Sequence, residues 1–141
     1  MMTTSTIQVL LADDHPAVRQ GLQGLFGLYP EFSVVAEAWD GLTAVSLFAF
    51  LRPDVALIDL RMPGQGGIAT IKAIRSAHPK AGLIAFTADD DDASVCAALA
   101  AGADGFLVKG VPASVLLDAV RTVYAGGKWF APNLAAHGRA G

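Results

Sequence analysis

Five short apolar runs, each followed by a stretch with helical spacing, constrain this chain more than anything else in it. The runs are Ile7-Gln8-Val9-Leu10-Leu11-Ala12, Phe32-Ser33-Val34-Val35-Ala36-Glu37-Ala38, Val55-Ala56-Leu57-Ile58, Gly82-Leu83-Ile84-Ala85-Phe86-Thr87 and Gly105-Phe106-Leu107-Val108-Lys109. Between them lie apolar stripes such as Val18, Leu22, Leu25 and Phe26, or Val115, Leu116, Ala119, Val120 and Val123. Strict alternation of strand and helix signals with short connections is the pattern of βαβ units and a parallel sheet. Such a sheet buries both faces, which suits the unbroken apolar third run between Pro53 and Pro63-Gly64. The second run, with Glu37 inside it, reads as a less buried strand at a sheet edge.

Punctuation agrees with this division. Pro16 suits the first turn of a helix, where its missing N–H costs nothing. The first helix ends near Leu28-Tyr29-Pro30, the second runs from Gly41 to Leu51, and the third passes through Ile68, Ile71 and Ile74 to Ala77-His78-Pro79. Asp89 to Asp92 lead into a fourth helix, and Gly102 suits the left-handed position that ends it. Gly126-Gly127 end the fifth. The expectation is five strands and five helices over residues 7–127. A flexible 1–6 precedes them, and a tail over 128–141 is frayed beyond Trp129-Phe130 or begins a linker.

The 141 residues suit one domain, and 53% hydrophobic with 16% charged content suits a folded core. Ten Lys+Arg against thirteen Asp+Glu give a net charge of −3, and no basic cluster offers a nucleic acid its usual footprint. The single Cys96 excludes an internal disulfide, fits a reducing compartment and reads as a packed, inert thiol. No secretory pattern opens the chain, and no apolar run approaches the about 18 residues a membrane span needs. A soluble, cytoplasmic chain is expected, with no membrane association.

The chemistry gathers at the strand ends. The first strand delivers Asp13 and Asp14, the third Asp59, the fourth Thr87 and the fifth Lys109. Parallel strands carry these tips to one rim, and in a doubly wound order 2-1-3-4-5 the first and third strands flank the ligand crevice. Three carboxylates side by side oppose one another's ionisation unless a cation joins them. Oxygen donors select a hard ion, Mg²⁺, which takes one or two carboxylates and phosphate oxygens. Aspartate can itself attack phosphorus and form an acyl phosphate. Lys109 could then neutralise one phosphoryl oxygen and the Thr87 hydroxyl could donate to another. Singly, each residue has a plainer reading: a turn for Asp59, a helix cap for Asp13-Asp14, a strand end for Thr87, a solvated end for Lys109. Five tips bearing these types together argue for the joint reading.

The stretches Val9-Leu10-Leu11-Ala12-Asp13-Asp14-His15, Pro53 to Gly64, Phe86-Thr87-Ala88 and Gly102 to Lys109 resemble the receiver domain of bacterial response regulators. Asp-Asp-His-Pro at the start and Ala125-Gly126-Gly127-Lys128-Trp129-Phe130 at the close resemble its NarL/LuxR-type subfamily. The resemblance implies a flavodoxin-like, CheY-like doubly wound α/β fold. It implies Asp59 as phosphoacceptor from a histidine kinase, and Mg²⁺ held by Asp13, Asp14, Asp59 and the Arg61 carbonyl. Thr87 and Phe106 would be the switch pair, acting on a surface made by the fourth helix, fifth strand and fifth helix. Such a domain signals and catalyses only its own phosphorylation and dephosphorylation. A homodimer on phosphorylation is expected, and DNA contact only through a helix-turn-helix domain beyond this chain.

Some residues depart from the family pattern. Gly66 stands where an Asp is usual, and Gly110 follows the lysine where Pro or Asp is commoner; with Gly64 and Gly67 beside Gly66, the loop after Asp59 is expected to be flexible. The Asp89–Asp92 run reads as helix capping or as a device tuning partner choice and water access. His15, His78 and His137 lack metal-ligand spacing, and His15 reads as a helix-entry residue. Two other functions compete. A phosphatase of the haloacid-dehalogenase type needs an acid where Arg61 stands, and a pseudo-receiver would not need the full acidic set.

Overall fold

Val55 and Leu57 face one side of a parallel sheet and Ala56 and Ile58 the other, and all four are buried. The computed structural model describes residues 6–88 and 90–130. Its elements run β1 (Ile7–Ala12), α1 (Pro16–Gly27), β2 (Phe32–Ala38), α2 (Gly41–Leu51), β3 (Val55–Ile58) and α3 (Gly66–Ala77). They continue with β4 (Gly82–Thr87), α4 (Asp92–Ala101), β5 (Gly105–Val108), α5 (Ala113–Tyr124) and β6 (Trp129–Phe130). The strands form one parallel sheet in the order β2-β1-β3-β4-β5-β6.

The expected order 2-1-3-4-5 is therefore present, with β2 at the edge. Among the described residues the strand count is not five but six: β6 pairs with β5, Phe106 opposite Phe130, within the stretch read from sequence as tail. Two residues are too short to show a period, so this strand is set by its neighbour rather than by its own pattern. Residues 1–5, Asp89 and 131–141, including most of the expected tail, lie outside the described residues.

The strand period of two divides the core into two halves. On one face Leu10, Ile58, Leu83 and Phe106 pack with Phe48 of α2, Ile71 and Ile74 of α3, and Val95 and Ala98 of α4. On the other, Val9, Leu57, Ile84 and Leu107 pack with Leu22 and Phe26 of α1 and Leu116 and Val120 of α5. Helices thus cover both faces, and their connections leave the strand ends open as a rim. Gly102 has φ +110° and ends α4, while Asp40 and Asp91 cap α2 and α4 by accepting the Thr43 and Ser94 N–H groups. Among the described residues no helix is long and apolar enough to cross a membrane.

Candidate functional site

Backbone ladders continue past the strand ends and fix the rim residues. The Asp13 N–H donates to the Ala38 carbonyl at 3.0 Å, Asp59 to Ala12 at 2.8 Å, and Lys109 to Thr87 at 2.7 Å. Residues from four strands are thereby aligned before any side chain is considered. The loop after Asp59 is held by a close approach: a Cβ on Gly67 would overlap the Asp59 carbonyl oxygen, so only glycine fits there.

The side chains converge as expected for Asp13, Asp14, Asp59 and Lys109. Asp13 and Asp59 are each only 2% exposed. The Lys109 ammonium stands 2.7 Å from Asp13 Oδ2 and 3.2 Å from Asp59 Oδ2. Asp59 Oδ1 accepts the Arg61 N–H at 3.1 Å, which draws the Arg61 peptide against the site. Thr87 is buried at the last position of β4, beside Lys109 through its carbonyl. Phe106 is not at the rim: its ring is buried in the core face shared with Ala98 and Phe130.

Burial pushes the Asp59 carboxyl above its ordinary pKa, with the Asp13 charge adding to it; the Arg61 N–H and the Lys109 ammonium offset only part of this. Burial acts on Asp13 in the same sense, but Lys109 and two His15 contacts outweigh it and hold that carboxyl below its ordinary value. Burial would lower Lys109, yet the Asp13 and Asp59 carboxylates raise it. The site therefore holds two near-buried acids whose pKa values are shifted in opposite directions around one ammonium.

A divalent cation fits this donor set. Asp13 Oδ2 and Asp14 Oδ1 are buried oxygens without a well-directed hydrogen bond. One donor atom from each of Asp13, Asp14, His15 and Asp59 lies within 4.8 Å of all the others. Clustered carboxylate oxygens are the donors a hard cation takes, and at Asp13 Oδ2 it would share the place with the Lys109 ammonium.

Two residues of the site were not legible in the sequence. His15, read as a helix-entry residue, stands at the N-cap position of α1 in extended backbone without a side-chain cap bond, and its ring Nδ1 lies instead 2.8 Å from Asp13 Oδ1 and 3.2 Å from Asp14 Oδ1. Its place after two aspartates was the available signal. Arg19 of α1 donates to the Asp13 carbonyl at 2.6 Å while Glu37 of β2 holds its Nε at 3.0 Å. Nothing local marks that pairing. In the acidic run, Asp91 is a cap, as one reading had it, and the Arg61 charge also acts on it; Asp89 lies outside the described residues.

Residues 9–121 match the family described as response regulator receiver domain. The chain is 41% identical over 134 residues to the nitrate/nitrite response regulator protein NarP of Escherichia coli K12, covering 95% of this chain and 62% of that one. It spans less than two thirds of the length of such curated relatives. Its fold matches a LuxR-family two-component response regulator from Aurantimonas sp. SI85-9A1, with TM-score 0.89, 34% identity and coverage of 96% and 97%. It also matches the isolated receiver domain of RcsB from Salmonella enterica serovar Typhimurium with the phosphomimetic BeF3−, with TM-score 0.83, 26% identity and coverage of 94% and 99%. With the fold, the acidic rim and these likenesses in agreement, the chain belongs to the receiver-domain family of two-component response regulators, in its NarL/LuxR-type branch.

Proposed function

We propose that Asp59 is the phosphoacceptor of this receiver, taking a phosphoryl group from a histidine kinase. The observation that carries the reading is a buried carboxylate, raised in pKa, 3.2 Å from a fixed ammonium and beside two further acids. An Asp59 carboxylate oxygen attacks phosphorus, the phosphorus–nitrogen bond of the phosphohistidine breaks, and its electron pair returns to the imidazole. Lys109 pairs with a phosphoryl oxygen, and the Thr87 hydroxyl donates to another. Asp13, Asp14, Asp59 and the Arg61 carbonyl would hold Mg²⁺, which supplies charge neutralisation on the phosphoryl oxygens.

The output side of the proposal rests on β5. Phe106 lies one strand from Thr87 in the sheet and fills the α2–α4 core face. A new dianion that draws the Thr87 hydroxyl toward it alters the space beside that ring and hence the α4-β5-α5 surface. A structure of two RcsB dimers bound to two parallel DNAs is among the similar ones, which supports pairing and DNA contact as the output of the longer protein. Transcriptional control through that domain, in the cytoplasm, completes the reading. Arg61 at the second-acid position speaks against a turnover phosphatase.

The test is incubation with Mg²⁺ and acetyl phosphate, read by intact mass, with beryllofluoride and size analysis for the oligomer. One phosphoryl group is expected on the wild type and none on Asp59→Asn. Labelling retained in Asp59→Asn moves the acceptor elsewhere.

A further inference from the structure

Of the described helices, α2 alone carries no charged side chain within its bounds. Its side toward the sheet is filled by Ala44 and Phe48, which are buried. The opposite side presents Leu42, Ser46, Ala49 and Phe50, all exposed, with Leu42 at 70% and Phe50 at 84%. Leu42, Ser46 and Phe50 stand at i, i+4 and i+8, so they form one ridge along the helix. Apolar side chains scattered singly on a surface are ordinary. A continuous uncharged ridge with a large apolar side chain at each end marks a contact surface.

This ridge is complementary to itself when turned end for end. With Ser46 on a two-fold axis, Leu42 of one copy meets Phe50 of the other, and Phe50 meets Leu42. The same register sets Asp40, the N-cap, opposite Arg52, the C-cap. Arg52 is exposed and makes no ion pair among the described residues. A parallel arrangement would set Asp40 against Asp40 and Arg52 against Arg52 and would align the two helix dipoles, whereas the antiparallel one opposes them. Small side chains at Ser46 and Ala49 let the two axes approach to the short end of the about 8–10 Å range. Exposed charge pairs of this kind fix orientation more than they add affinity.

We propose that the exposed face of α2 is a docking surface for a second copy of this chain, packed antiparallel about Ser46. α2 covers β1 and β2, at the opposite edge of the sheet from β5. The contact therefore leaves the α4-β5-α5 surface free and needs no phosphoryl group on Asp59, unlike the pairing proposed above. An 11-residue helix is about 16 Å long and covers less than the about 800 Å² that each partner gives to a standard interface. The association is accordingly of micromolar strength or weaker. A second contact at α4-β5-α5 would link such pairs rather than create them.

Sedimentation velocity without Mg²⁺ or phosphodonor, from roughly 10 μM to 1 mM, tests this. The wild type is expected to shift from monomer to dimer across that range. Leu42→Asp and Phe50→Lys each place a charge where the helix dipole tolerates it, on an exposed position, and unchanged thermal melts verify their folds. Each variant alone should associate more than about tenfold more weakly. An equimolar mixture of the two should recover association, because the antiparallel register then keeps one Leu42–Phe50 contact and makes an opposite-charge pair at the other end. In a parallel register both ends of the mixed pair would be mismatched. A wild type that stays monomeric to about 1 mM overturns the inference and leaves α2 to an occupant other than a second copy. A dimer indifferent to both substitutions, or a mixture no tighter than either variant alone, overturns it as well.

Discussion

The Lys109 ammonium stands 3.2 Å from Asp59 Oδ2, so the residue proposed to accept phosphate is already paired with a cation brought from two strands away. The same ammonium reaches Asp13, and both carboxylates are buried. Lys109 is raised in pKa, with its two acid partners overcoming the effect of burial. A raised lysine contributes stability that is fully present below its unfolded pKa and is lost only as pH rises through the folded one. At neutral pH all of it is in place. Lys109→Met is expected to destabilise the metal-free protein by about 1–2 kcal/mol, the exposure of the lysine keeping this below the cost of breaking a fully buried pair. The loss should shrink toward acid pH, where the stranded carboxylates take up protons. Urea unfolding across that range measures it, and Mg²⁺ should restore part of the difference.

Asp59→Asn should act in the opposite direction. The Asp59 pKa is raised, chiefly by burial, so the fold disfavours its charge. A raised acid costs stability above its folded pKa; the cost fades as pH falls through that value and is gone below the unfolded one. Asparagine keeps an oxygen for the Arg61 N–H, and Lys109 keeps Asp13. The metal-free variant is expected to gain on the order of 1 kcal/mol at neutral pH, or about 3 °C in melting temperature, while losing all phosphoryl labelling. Parallel melts at neutral and acid pH should show the gain vanish on the acid side.

The rim was legible because parallel strands convert sequence order into position. Reading Asp13, Asp59, Thr87 and Lys109 as strand ends sufficed to bring them together, and Gly102 marked the end of α4 through its left-handed backbone. What escaped depends on contacts between elements. The pairing of Trp129–Phe130 with β5 leaves no period in two residues. Arg19 reaches the Asp13 carbonyl only after α1 has packed beside β2, and the His15 ring turns to the acids only because Pro16 fixes the backbone before it.

Gly67 shows the same limit, since a run of glycines near the site reads as a loop with freedom to move. In the fold Gly67 lies where a Cβ would overlap the Asp59 carbonyl and approach Leu60 Cα, both of them backbone that cannot swing aside. Gly67→Ala is expected to cost about 2–3 kcal/mol and to slow labelling of Asp59 by displacing its peptide. Gly21 and Gly24 of α1 have no atom within 4 Å of such a Cβ and sit inside an exposed helix face. Alanine at either should stabilise by about 0.5–1 kcal/mol through helix propensity alone. Denaturant unfolding and the acetyl phosphate rate separate the two classes.

Arg75 carries the last expectation, at the end of the sheet away from the acidic rim. Its guanidinium donates to the Gly102 carbonyl through Nε at 3.1 Å and Nη2 at 2.8 Å, to the Pro79 and Ala81 carbonyls at 2.8 Å, and to Asp104 Oδ2 at 2.6 Å. Asp104 Oδ2 also accepts the Leu83 N–H at 2.9 Å, and its Oδ1 accepts Lys128 at 2.7 Å. One side chain on α3 thereby ties the start of β4 to the end of α4, where several carbonyls would otherwise lack donors. Arg75→Met should cost about 2–3 kcal/mol, from the unpaired carbonyls and the uncompensated Asp104. Arg75→Lys should recover little, because a point charge cannot make five hydrogen bonds to four fixed acceptors. Asp104→Asn should cost less, as its amide oxygen still accepts the Leu83 N–H. Hydrogen exchange at the Leu83 amide distinguishes these cases: protection is expected to fall most in Arg75→Met, and equal protection in all three variants would show that the clamp does not hold β4.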